Sequence, residues 1–188
     1  SMVTTSGLIR RTAADASLTA KVVTLDRPAG RRFQRTVLGD EGTCFAETVD
    51  QFRAAVAAPV DLLIVGTHGA SGAARVGFGR YDADWVEIAS LSGHCSTLLV
   101  VACHQEPDRA ALWMERFSAS QVVLASGLVP GQTADRAISR VVERPETWKD
   151  GRAVLAALLD TTRPAPAMAG AGWYVYTGVG TAARVGDI

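Results

Sequence analysis

The chain has 188 residues, 48% of them hydrophobic and 20% charged, and its lysines and arginines balance its aspartates and glutamates to a formal net charge of zero. That length suits one compact domain able to bury a full core without disulfides, and the charge balance lacks the electrostatic footprint of a partner for nucleic acid or an anionic membrane. No apolar run approaches the ~20 residues of a membrane span, and the N-terminus lacks the layout of a secretory signal, so a cytoplasmic protein is expected.

Ser1 and Met2 read as the remnant of a removed tag, and residues 1–188 otherwise as a single unit without internal repeats. "AKVVTLD" predicts a short strand and "FQRTVLGD" a second, ending at Gly39. Phe45, Val49, Phe52 and Val56 fall on one helical face that Pro59 closes. "VDLLIVGT" is apolar on both faces, the pattern of a central parallel strand, and delivers His68 to its carboxyl end. "DADWVEIASL" predicts the crossover helix, with Asp84 as N-cap, Glu87 three residues on, and Trp85, Ile88 and Leu91 on one side. "TLLVVAC" is a second doubly buried strand, parallel to the first, ending in Cys103. Pro107 suits the first turn of a helix through Leu112, Trp113 and Phe117. "SQVVLAS" gives another strand, helices follow near 133–143 and 150–159, "TTRPAPAMAGAG" reads as a flexible connection, and "GWYVYTG" closes as a strand. Strands alternating with helices predict an α/β fold, an α/β/α sandwich with a mostly parallel sheet.

In such sheets ligands bind outside the carboxyl ends of the strands, where His68 and Cys103 both fall. A free thiol is only partly ionised near neutrality. His68 would handle its proton, and the N-terminus of the Pro107 helix would favour negative charge. The N–H groups of Gly69, which has no side chain, and of Cys103 would form an oxyanion hole. The bland alternative is a buried structural cysteine beside a loop histidine. The other two cysteines, Cys44 at the start of a helix and Cys95 ahead of its strand, read as structural, as does His94. An odd number of cysteines without metal-ligand spacing argues against disulfides and zinc, and no metal or cofactor is expected.

"LLIVGTHGASG" and "TLLVVACHQ" resemble the two strands of caspase-type cysteine peptidases, above all bacterial CHAT domains, that end in His-Gly and Ala-Cys. "SQVVLASGLVPGQTADRAISRVVE" and "AGWYVYTGVG" are similar to later segments of that family, so the resemblance spans about residues 60–180 in order. It implies a caspase-like three-layer α/β/α sandwich and peptide-bond cleavage through an acyl-enzyme. Cys103 would be the nucleophile, His68 the catalytic histidine, and Gly69 and Cys103 the oxyanion hole. It also implies a protein or peptide substrate and a sensor or TPR-type regulatory partner in a bacterial multi-protein system. The family commonly carries a glycine soon after the cysteine, where this chain has His104, Gln105 and Glu106. Asp26, Glu106 and Asp108 would favour a basic residue before the scissile bond, or are solvated charges and helix N-terminal residues.

Other readings stay open. "VDLLIVGTHGASGAARVGFGR" is similar to the nucleotide-binding segment of universal stress proteins, with Gly66, Gly69 and Gly79 at that family's spacing. Such glycines would let backbone N–H groups approach phosphates. Cys103 and Arg109 have the spacing of a tyrosine-phosphatase loop, although Pro107 removes a donor there and Glu106 and Asp108 would repel a phosphate. A caspase-like fold acting as a non-catalytic scaffold is the third alternative.

Overall fold

The structure is a computed structural model that describes residues 8–13, 16–24, 43–79, 82–178 and 182–184. The expected strand in "FQRTVLGD" and the candidate residue Asp26 lie outside the described residues.

The main sheet has eight strands: β1 (Leu8–Ala13), β2 (Ala16–Thr24), β3 (Thr43–Phe45), β4 (Val60–Gly66), β8 (Cys95–Val101), β9 (Gln121–Ala125), β10 (Trp173–Tyr176) and β11 (Ala182–Arg184). β2, β4, β8 and β9 run side by side in parallel. β3 is parallel to β2, whereas β1, β10 and β11 pair antiparallel. The helices are α1 (Val49–Ala55), α2 (Pro107–Phe117), α3 (Gly131–Val142), α4 (Gly151–Leu158) and α5 (Pro166–Gly170).

The central strands alternate their side chains between two cores, as the two-residue strand period requires. Leu62, Ile64, Leu99 and Val123 enter the core under α3, α4 and α5. Leu63, Val65, Leu98, Val100 and Val122 enter the core under α1 and α2. The molecule is therefore an α/β fold with helices on both faces of a mostly parallel sheet.

The connection from β4 to β8 departs from expectation. Instead of a crossover helix over "DADWVEIASL", three short antiparallel strands form a second sheet: β5 (His68–Gly69), β6 (Arg75–Phe78) and β7 (Asp84–Glu87), followed by a 3-10 turn at Ile88–Ser90. Ladder pairing with β6 outweighs the helical spacing of Trp85, Ile88 and Leu91, of which only the last two are buried. Asp84 does cap a helix, but not its own. Its carboxylate accepts the Val49 N–H of α1 at 2.8 Å, where a negative charge suits the helix N-terminus.

Three ties hold the small sheet on the α1 side of the main one. These are the Asp84 cap, Phe52 of α1 stacked on Phe78 of β6 at 4.6 Å between ring centroids, and the Thr67 hydroxyl donating to the Gly77 carbonyl.

The first helix is also shorter than its apolar spacing suggested. Phe45 belongs to β3, and Thr48 with Gln51 forms a capping box that starts α1 at Val49. Cys44 therefore lies in β3 rather than in a helix, paired with Val23 of β2. α2, α3 and α4 match the expected helices within two residues, and Pro107 occupies the first turn of α2. The stretch read as a flexible connection contains α5, held to the core through buried Met168.

Candidate functional site

The site is built by strand register. β4 and β8 pair with a constant offset, Val60 facing Cys95 and Gly66 facing Val101. The ladder continues as the Thr67 N–H donates to the Val101 carbonyl at 3.2 Å. That offset of 35 residues, from 60 to 95 and from 66 to 101, is also the separation of His68 and Cys103 in the chain. Both residues thus follow the carboxyl ends of adjacent parallel strands, each two positions past the last paired residue, Gly66 or Val101. The Cys103 sulfur meets Val129 at the entrance to α3, whereas the His68 ring meets Gly79 and Trp85 on the small-sheet side.

Each side chain has its own partner. The His68 Nε2 lies 3.2 Å from the Gly79 carbonyl. A carbonyl can only accept, so Nε2 carries the proton and Nδ1 of the neutral ring carries the lone pair. The Cys103 Sγ lies 3.3 Å from the Val129 N–H, which donates to it, and 3.9 Å from the Val129 carbonyl. Val129 immediately precedes Pro130, the N-cap of α3. The backbone that meets the Cys103 sulfur thus leads into α3. Both side chains are partly exposed, and each bonds to backbone rather than to the other.

The two loops are locked together beneath these side chains. A Cβ at Gly69 would lie 1.8 Å from the Cys103 carbonyl oxygen, so only glycine allows the His68 loop to close on the Cys103 loop. The buried Arg109 guanidinium donates to the Ala70 carbonyl and, at 2.7 Å, to the His104 carbonyl, bridging both loops. Gln105 is fully buried: its amide donates to the Cys103 carbonyl at 2.9 Å and accepts the Trp113 indole N–H at 2.9 Å. The Tyr174 hydroxyl donates to the Gln105 carbonyl. His104 turns the chain through a left-handed conformation, φ 58°, a turn for which glycine is the usual residue. The His104 and Gln105 N–H groups donate to the Gly127 and Ala125 carbonyls. Among the described residues no backbone carbonyl takes the Cys103 N–H.

Glu106 and Asp108 meet in one polar pocket of about 170 Å³ with Ser71, Gly72, Ala74, His104 and Arg109, and neither His68 nor Cys103 lines it. Arg109, tied to two carbonyls, does not form a phosphate-wrapping loop with Cys103. The three glycines of the nucleotide-binding alternative serve packing and turning. Gly66 abuts Thr24, Gly69 abuts Cys103, and Gly79 adopts a φ of +95° against the Glu47 carbonyl. Cys95 begins β8 in the α1–α2 core, and burial pushes its thiol up to about 12, against a hydrogen bond at Leu63. His94 is exposed.

Sequence reasoning missed Val129, Gly79 and Gln105 as partners of the site. The first two act through backbone atoms, which no side-chain motif marks. Gln105 follows a cysteine in an ordinary polar run, and only its burial against Trp113 distinguishes it. No protein-family model matches the chain, and a search of curated proteins finds no match.

Proposed function

We propose that this protein is a cysteine peptidase of the caspase-like, CHAT-type kind, acting on a protein or peptide substrate through Cys103 and His68. The observation that carries the reading is the shared register: the β4–β8 pairing brings the loops that hold His68 and Cys103 side by side past the strand ends, and Gly69 and Arg109 tie those loops together. The resemblance in "GTHG" and "VVACHQ" and the mostly parallel sheet with helices on both faces point the same way.

In this mechanism His68 Nδ1 takes the proton of the Cys103 thiol, and the Val129 N–H stabilises the thiolate. The sulfur attacks the scissile carbonyl carbon, and the Gly69 and Cys103 N–H groups receive the developing oxyanion. The Gly79 carbonyl steadies the imidazolium through Nε2. His68 then gives its proton to the leaving amine, the C–N bond breaks, and a thioester remains. Water, deprotonated by His68, attacks the thioester, releasing the acid and restoring the thiol.

The test is hydrolysis of a peptide library by wild type, Cys103→Ala and His68→Ala, with circular dichroism of each. Both variants should keep the fold and lose thiol-dependent cleavage. Unchanged hydrolysis by either would refute the assignment. A sensor or TPR-type regulatory partner belongs to the same proposal, and pull-down with such a module encoded beside this chain checks it.

A further inference from the structure

We propose that Trp85 and Leu128 are the specificity-determining contacts of this site, taking bulky apolar side chains of an extended peptide on the His68 side and on the Cys103 side. The inference rests on the peptidase reading and names its substrate class.

Among the described residues, Trp85 and Leu128 are the exposed large hydrophobic side chains, at 42% and 65% exposure. Single exposed apolar residues are ordinary. What marks these two is their neighbours: Trp85 shares a sheet row with His68, and Leu128 directly precedes Val129, whose N–H bonds the Cys103 sulfur.

Trp85 is placed by the small sheet. Gly77 pairs with His68 on one side and with Trp85 on the other, so the three form one row with side chains on one face. With no side chain at Gly77, the indole and imidazole approach above it, 6.4 Å between ring centroids. A Cβ there would lie 2.9 Å from the indole. The Arg75 guanidinium, 6.0 Å from the ring centroid, holds the indole further.

Leu128 sits on a backbone fixed at both neighbours. The Gly127 carbonyl accepts the His104 N–H and the Gly127 N–H donates to Ala171, while Val129 bonds the Cys103 sulfur. Its exposure therefore does not come from a loose loop. Two apolar surfaces held open by fixed backbone, one beside the base and one beside the thiol, fit a chain passing between them with apolar side chains turned to each.

The experiment is cleavage profiling of a peptide library by wild type, Trp85→Ala, Trp85→Phe and Leu128→Ala, with Cys103→Ala as control. Wild type should prefer bulky apolar residues at two positions flanking the cut. Trp85→Ala should erase one preference and Leu128→Ala the other. Each should lower kcat/KM on the preferred peptide about tenfold or more, chiefly through KM, and leave the pH profile unmoved. Trp85→Phe should retain most of the activity. Thiol-dependent cleavage with wild-type preferences in both alanine variants would overturn this inference and leave the peptidase reading standing. Cleavage that persists in Cys103→Ala would overturn the peptidase reading, and this inference with it.

Discussion

Gly69 shows how much of the candidate site hangs on one missing side chain. Alanine there would drive its Cβ to 1.8 Å from the Cys103 carbonyl oxygen, an overlap with backbone that no rotamer relieves. Gly69→Ala should cost about 1–3 kcal/mol in chemical denaturation and separate the two loops, removing the proposed peptidase activity even where the fold survives. The same locality governs the cysteines. Cys103 is partly exposed with an N–H donated to its sulfur, whereas burial pushes the Cys95 thiol up to about 12. At pH 8 the thiolate fraction of Cys95 is on the order of 10⁻⁴. Iodoacetamide followed by peptide mass mapping should therefore label Cys103 and leave Cys95 untouched in the native protein. Equal labelling of the two would contradict the burial.

At the scale of elements, the small sheet decides where His68 stands. It is joined to α1 by the Phe52–Phe78 stack and the Asp84 cap, and Phe78 is 1% exposed. Phe78→Ala should destabilise the protein by about 3–5 kcal/mol in denaturant titrations. Below the unfolding midpoint it should still depress activity, because β6 carries the Gly77 partner of His68. A variant destabilised to that degree but fully active in native buffer would mean that the small sheet does not position the histidine. These elements were unevenly legible. β4 and β8 announced themselves as doubly apolar runs, and Pro107 marked α2. The small sheet did not, because Trp85, Ile88 and Leu91 fall at helical spacing while β7 exists through hydrogen bonds to a strand that begins nine residues earlier. α1 starts at Val49 rather than at Phe45, because the Thr48–Gln51 capping box, and not the apolar spacing, sets its first turn.

Over the whole molecule, the face opposite the small sheet is held partly by charge. Asp160 accepts both the hydroxyl and the N–H of Thr162 and pairs with Arg144, which together hold its carboxyl at about 2. Burial pushes the Glu143 carboxyl up, but bonds from Arg163 and Ser139 outweigh it and hold the group below its usual value. Both folded pKa values lie below the unfolded ones near ~4. Their stabilisation is therefore complete above that range and lost as pH falls through the folded values, about 2 for Asp160. Asp160→Asn should lower the urea midpoint at pH 6 and converge with wild type near pH 2. A difference that persists undiminished in acid would place the effect elsewhere.

Patterns that a strand or helix carries within itself were readable from the residues alone: the doubly apolar runs of β4 and β8, the amphipathic helices after them, and the reactive side chain at each strand end. The 35-residue spacing of His68 and Cys103 was likewise present in the chain. Only the packed sheet made it meaningful, because the β4–β8 register turns a sequence interval into a spatial neighbour. Tertiary structure alone decided that Val129 serves the sulfur, that Gly79 orients the imidazole, and that Gln105 and Arg109 bind the loops. The Gly79, Val129 and Ala70 contacts join backbone atoms to side chains 11, 26 and 39 residues away. They depend on where folded elements end rather than on which residue types they contain.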